Sequence, residues 1–177
     1  MNEGFEVGYC ELLTDDKNLT GVGFLNTISN FKELKVKKLD PRAKLPTKGS
    51  IKSAGLDLYV FSDEEGDVVI PPNGCYKFRT GISIQPPTGM YTEVFVRSSV
   101  GCKKHLQLMN GTGIIDCDYT GEVLVFVHNF GKEPVKVEQG ERLCQMILKE
   151  YYNVIVTEVD ELDETERGSN GFGSTGR

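Results

Sequence analysis

The stretch with the densest chemistry is Arg167-Gly168-Ser169-Asn170-Gly171-Phe172-Gly173-Ser174-Thr175-Gly176-Arg177. Glycines at 168, 171, 173 and 176 let the backbone approach a ligand closely and adopt positive φ. Ser174 and Thr175 add hydroxyls, and Arg167 and Arg177 add fixed cations suited to phosphate oxygens. Phe172 is a lone aromatic between two glycines, where no hydrophobic core accounts for it; its π-face suits stacking on a planar base. The segment reads as a clamp for a nucleotide with several phosphates. A plain Gly/Ser tail would leave the aromatic and the two flanking arginines unexplained.

Four other stretches carry reactive or binding side chains. In Asn110-Gly111-Thr112-Gly113-Ile114-Ile115-Asp116-Cys117-Asp118-Tyr119-Thr120-Gly121, an apparent hairpin, Asp116 follows two isoleucines. That setting would partly desolvate its carboxylate and suit it as a general base toward water. An Asp in a turn also caps local backbone, and spacing alone favours that plainer role. Arg97-Ser98-Ser99-Val100-Gly101 lies where a strand ends and a short helix begins, so N–H groups, hydroxyls and a guanidinium could hold an anion. A capped helix explains the same residues. Ser53-Ala54-Gly55-Leu56-Asp57-Leu58 sets one acid in an apolar strand, and Gly140-Glu141-Arg142-Leu143-Cys144-Gln145-Met146 does the same with Gln145. Each alone is equally well an edge-strand polar residue.

The elements that must position these groups are strands. Short alternating or β-branched runs occupy 34–39, 67–70, 81–84, 91–96, 122–127 and 135–137, with turn signals at Pro71-Pro72-Asn73-Gly74, Pro86-Pro87-Thr88-Gly89 and Glu138-Gln139-Gly140. Such spacing predicts an all-β sandwich, jelly roll or barrel with one short helix, about Ser98 to Lys104. Residues 142–159 read as one long or two adjoining strands. Three regions result: an irregular extension at 1–33, a β core at 34–159, and an arm at 160–177 that is acidic and then Gly-rich, mobile unless something holds it.

Composition excludes several classes. With 177 residues, 38% hydrophobic and 26% charged, the chain suits one domain that buries a core. No apolar run reaches the ~20 residues of a membrane helix. The acidic start Met1-Asn2-Glu3-Gly4-Phe5-Glu6 shows no secretory signal. A net charge of -6 repels phosphate polymers and anionic membranes, so neither nucleic acid nor a membrane is an expected partner. The 5 Cys include no CxxC pair, which argues against a zinc site or disulfide framework. They read as small buried hydrophobes, in a chain of the cytoplasm or another reducing intracellular compartment. His105 and His128 stand apart in sequence, which argues against Ser-His-Asp chemistry and a His-rich metal site.

Taken in order, the five stretches resemble the five motifs of the trimeric dUTPase family: 54–58, 97–99, 113–119, 140–145 and 167–176, within a match over roughly 34–177. The resemblance implies a β jelly-roll subunit in a homotrimer, with active sites at subunit interfaces. It also implies Mg²⁺-assisted hydrolysis of dUTP to dUMP and diphosphate, which keeps uracil out of DNA and supplies the dTMP precursor. By the same resemblance, Asp116 activates the attacking water and Tyr119 packs on the deoxyribose, leaving no room for a 2′-hydroxyl. Asn110, Gly113 and Ile115 read the uracil edge. Arg97, Ser98, Ser99 and Gln145 hold phosphates, and Asp57 orients water on the metal. Phe172 covers the base within the glycine frame that includes Gly173, while Arg167, Ser174 and Thr175 close over the phosphates.

Ser99 stands where the family usually has Gly, and the Ser-Ser pair is similar to the related dCTP deaminases. Those carry a catalytic Glu where this chain has Phe126, and they lack the Phe-Gly-Ser-Thr-Gly tail. A nucleotide-gated protein-interaction module is the alternative from outside enzymology.

Overall fold

A computed structural model describes residues 32–169. Phe172, Gly173, Ser174, Thr175 and nearly all of the 1–33 extension lie outside the described residues.

The strands are β1 (Lys35–Lys38), β2 (Thr47–Lys48), β3 (Leu56–Val60), β4 (Val68–Ile70), β5 (Cys75–Gln85), β6 (Met90–Val96), β7 (Leu106–Leu108), β8 (Gly113–Ile115), β9 (Glu122–Asn129), β10 (Val135–Val137) and β11 (Glu141–Glu150). One helix, α1 (Ser98–Lys104), follows β6. A four-stranded sheet in the order β1-β5-β9-β7 faces a five-stranded sheet in the order β2-β3-β11-β6-β8, and β10 and β4 form a small third sheet. Every pairing is antiparallel. This is the expected all-β, jelly-roll-like architecture with its single short helix among the described residues.

Alternation explains the layering. Along β9, Val123, Val125, Val127 and Asn129 are buried while Leu124 and Phe126 face outward, the pattern of a strand with one face in the core. Phe78, Ile82 and Ile84 of β5 meet Leu58, Val60, Val94, Leu143 and Met146 of the opposite sheet in one cluster. Gly81 marks a register shift between β5 and β9, with φ +66. A Cβ there would come within 2.8 Å of Ala43 Cβ and 2.9 Å of Phe61 Cζ, so this irregularity in the strand needs glycine.

Asn129 is fully buried and replaces missing backbone partners at the end of β9. Its Nδ2 donates to the carbonyls of Ile70 (3.0 Å) and Glu133 (2.8 Å), and its Oδ1 accepts from Gly131 N (2.9 Å). Asn129→Ala is expected to cost about 2–4 kcal/mol, because buried groups lose their partners. The urea midpoint at fixed protein concentration measures this.

Four expectations change. The strand expected over 142–159 ends at Glu150, and Tyr152, Val154, Ile155 and Val156 are 79–94% exposed. These residues favour strands, but that preference is realised only against a partner, and within the described chain they have none. Second, 110–121 is not a self-paired hairpin: β8 pairs with β6, whereas β9 pairs with β5 and β7 in the other sheet. Third, β5 begins at Cys75, well before the run at 81–84, because Lys77 and Arg79 are the outward members of an alternation that buries Phe78 and Thr80. Fourth, of the described cysteines only Cys144 is buried; Cys75 and Cys102 are exposed and Cys117 is intermediate. Burial pushes the Cys144 thiol up to about 12.

No helix among the described residues is long and apolar enough to cross a membrane.

Candidate active site

The outer face of the five-stranded sheet carries the polar residues singled out above. Register sets Asp57 of β3 opposite Gln145 of β11, and Gln145 opposite Phe95 of β6. Arg97 follows two residues after Phe95, so it emerges on the same face. Asp57, Gln145 and Arg97 line a cleft of about 580 Å³ together with Ser53, Gly55, Ser98 and Ser99. The first, second and fourth motif stretches thus meet in one place.

The cleft is organised around a buried carboxylate. Asp57 is 8% exposed, and both of its oxygens are taken by guanidinium groups: Arg97 Nε at 3.0 Å on Oδ1, Arg142 Nη1 at 3.2 Å on Oδ2. Paired burial of this kind holds both arginines in one orientation. Two cations against one anion leave the cleft locally positive in an acidic protein, which suits phosphate. Gly55 makes room for the amide beside it, since a Cβ there would lie 2.9 Å from Gln145 Oε1.

Arg142 was not expected in this role. It stands three residues before Gln145, and strict alternation would send the two to opposite faces. A β-bulge between Arg142 and Cys144 inserts the extra residue that brings both to the outer face. The same bulge turns two carbonyls toward Arg97: its backbone N–H donates to Leu143 O (3.1 Å) and its Nη1 to Arg142 O (3.3 Å). In sequence, the only signal was the arginine's place inside the fourth motif stretch.

The third motif stretch lies elsewhere. Gly113 pairs with Val94 and Ile115 with Thr92, so the next residue, Asp116, falls level with Tyr91. Tyr91 is six positions back along β6 from Arg97, about 20 Å at ~3.3 Å per residue. Asn110, Gly113, Ile115, Asp116 and Tyr119 are grouped here, at the edge strand β8 and its flanking loops. Asp116 is exposed, not partly desolvated. The two isoleucines before it point to opposite faces: Ile115 is 8% exposed and Ile114 56%. Only one of them therefore enters the core, and neither covers the acid. Close by, Cys117 Sγ lies 3.8 Å from Tyr151 Oη. Tyr151's hydroxyl pKa is raised, first by that contact and further by the carboxylates of Asp118 and Asp116.

Every described residue from 151 to 169 is exposed. Arg167 sits there, beside a turn in which Gly168 N donates to Thr165 O (3.0 Å), and it does not line the cleft. No group of three or more His, Cys, Asp or Glu able to hold a metal ion occurs among the described residues.

The dUTPase family model matches residues 41–176. The chain is 43% identical over 143 residues to deoxyuridine 5'-triphosphate nucleotidohydrolase of Clostridioides difficile, covering 81% of this chain and 97% of that one. It is 41% identical over 145 residues to the human mitochondrial protein of the same name, of which it spans 55%. Among solved structures it resembles the dUTPase of Staphylococcus bacteriophage 80alpha with dUPNHPP, at TM-score 0.72 and 26% identity over 83% of this chain and 100% of that one. The fold is shared at TM-score 0.66 and 21% identity, over 75% of this chain and 100% of that one, with a phage phi11 dUTPase mutant described as coordinating a structural Mg(II) ion. The matched span contains all five motif stretches, and the chain belongs to the dUTPase family.

Proposed function

We propose that this chain hydrolyses dUTP to dUMP and diphosphate, in sites built between subunits of a homotrimer. One observation carries the assembly: on one chain Asp116 lies outside the cleft lining, its level at Tyr91 about 20 Å along the strand from Arg97. Asp116 of one subunit can meet the cleft of another only if the copies associate. The exposed Tyr152, Val154, Ile155 and Val156 support this, because strand-forming residues without a partner suit pairing with a neighbour. On this reading the arm that closes the site starts near 151, earlier than the boundary at 160. Phe172, Ser174 and Thr175 complete its role as a lid over base and phosphates.

In the reaction, Arg97, Ser98, Ser99 and Gln145 hold the triphosphate, and Arg142 joins them. Asp116 accepts a proton from water as the water oxygen bonds to the α-phosphorus. The bond to the β-phosphate oxygen breaks and diphosphate leaves. Asn110 and the backbone at Gly113 and Ile115 read the uracil edge, and Tyr119 packs on the sugar. The residues present fit Mg²⁺ held mainly by substrate oxygens and water. Asp57 faces the cleft, and each oxygen keeps a lone pair beyond its arginine bond, so it can orient a metal-bound water. When bound, the ion neutralises charge developing on the phosphates. The deaminase alternative loses support, since Phe126 is apolar and lies on the outer face of the other sheet.

Diphosphate release from dUTP, dCTP, dTTP and UTP assayed in parallel, with and without Mg²⁺, tests the reading. Turnover of dUTP far above the other three is expected. Equal rates on all four, or ammonia release from dCTP, would overturn it.

A further inference from the structure

The Tyr119 ring folds back onto the chain that follows it. A Cβ added to Gly121 would overlap Tyr119 Oη and lie 2.5 Å from Cζ and 2.9 Å from Cε2. Separate carbon groups pack at about 3.5–4.0 Å, so a side chain at 121 and the ring in this position exclude one another. The backbone itself does not demand glycine, because Gly121 is not among the residues with positive φ. All three of the nearest atoms belong to the tyrosine.

The ring's resting place is also anchored. Tyr119 Oη donates to Glu122 O (3.1 Å), and Tyr119 N donates to Asp116 O (3.2 Å). Ser83 Oγ donates to Thr120 O (2.7 Å). The Glu122 carboxylate receives Arg79 Nε (3.1 Å) and Gly81 N (2.8 Å). The carbonyl that receives the phenol therefore belongs to a pinned residue. Tyr119 is still 47% exposed, which leaves part of it open to a ligand.

We propose that Gly121 is a positioning residue that sets sugar selectivity: by leaving room for Tyr119 to lie back on the main chain, it fixes the wall against which deoxyribose packs. The inference rests on the role given to Tyr119 under Proposed function. A methyl at 121 pushes the ring outward by on the order of 1 Å and strains its bond to Glu122 O. The displaced ring then crowds the deoxyribose it packed against, so dUTP loses affinity, while UTP, already excluded at that wall, loses little.

Kinetics of Gly121→Ala, Tyr119→Ala and the double variant on dUTP and UTP test this. In Gly121→Ala the ratio of kcat/KM for dUTP to that for UTP is expected to fall about tenfold or more, through KM for dUTP, with kcat nearly unchanged. Adding Gly121→Ala to Tyr119→Ala should change the ratio no further, since the residue it acts through is gone. A ratio within about twofold of wild type, or an equal fall in the Tyr119→Ala background, would overturn the proposal. Should Gly121→Ala not fold, the double variant decides: folding like Tyr119→Ala upholds the link, and failure to fold refutes it. If the wild type hydrolyses neither nucleotide, the proposed function fails by itself. Crystal structures of wild type and Gly121→Ala then judge the link, with an unmoved ring counting against it.

Discussion

Asp116→Asn is expected to lower kcat for dUTP by about 10²–10⁴-fold while leaving nucleotide affinity nearly unchanged. Asparagine keeps the shape and the hydrogen-bonding reach of the side chain but cannot take a proton from water. The residue is exposed, so its replacement orphans no buried partner and the fold should be indifferent. Single-turnover rates, with affinity for a non-hydrolysable dUTP analogue measured separately, divide chemistry from binding. A variant turning over within a few-fold of wild type would remove Asp116 from the role of base. Selective loss of binding would make it a ligand contact instead.

Mixing two inactive variants is expected to restore activity. Arg97→Ala disables the cleft and Asp116→Asn disables the loop. If every site takes its cleft from one subunit and its acid from another, co-refolded 1:1 mixtures contain sites in which both are intact. Random assembly of a closed symmetric trimer makes about one quarter of the sites intact, and activity should approach that fraction of wild type. Each parent alone should stay at its own low level. A site contained in one chain gives a mixture no better than the average of its parents, which would refute the interfacial arrangement. Arg97→Ala also leaves Asp57 with Arg142 as its remaining guanidinium partner, so its fold is checked by the urea midpoint before mixing.

Both experiments concern the distance between two groups that are adjacent in function and separate in the chain. The separation follows from strand register. Ile115 opposite Thr92, with Asp116 one residue further on, and Gln145 opposite Phe95 put the acid and the cleft at different heights on one sheet. Nothing local to Asp116 or Arg97 encodes that offset, because it depends on how β8 and β11 each settle against β6.

The sequence alone determined the β class, the one short helix among the described residues, most strand positions and the inventory of reactive side chains in their order. Those features are local: period-two alternation, turn residues and motif spacing are read within a few neighbouring positions. Where alternation carried charge, as at Lys77 and Arg79, the strand was hidden because the outward residues masked the inward ones. Tertiary structure alone decided that Arg142 shares a face with Gln145, that Asp116 is uncovered on its own chain, and that the apolar residues after Glu150 find no partner within the described chain. Each depends on a long-range event: a bulge against β3, an edge position beside β6, a missing neighbour strand. Pairing energy between distant segments sets such outcomes, and a run of residues read in isolation holds no record of which segment lies beside it.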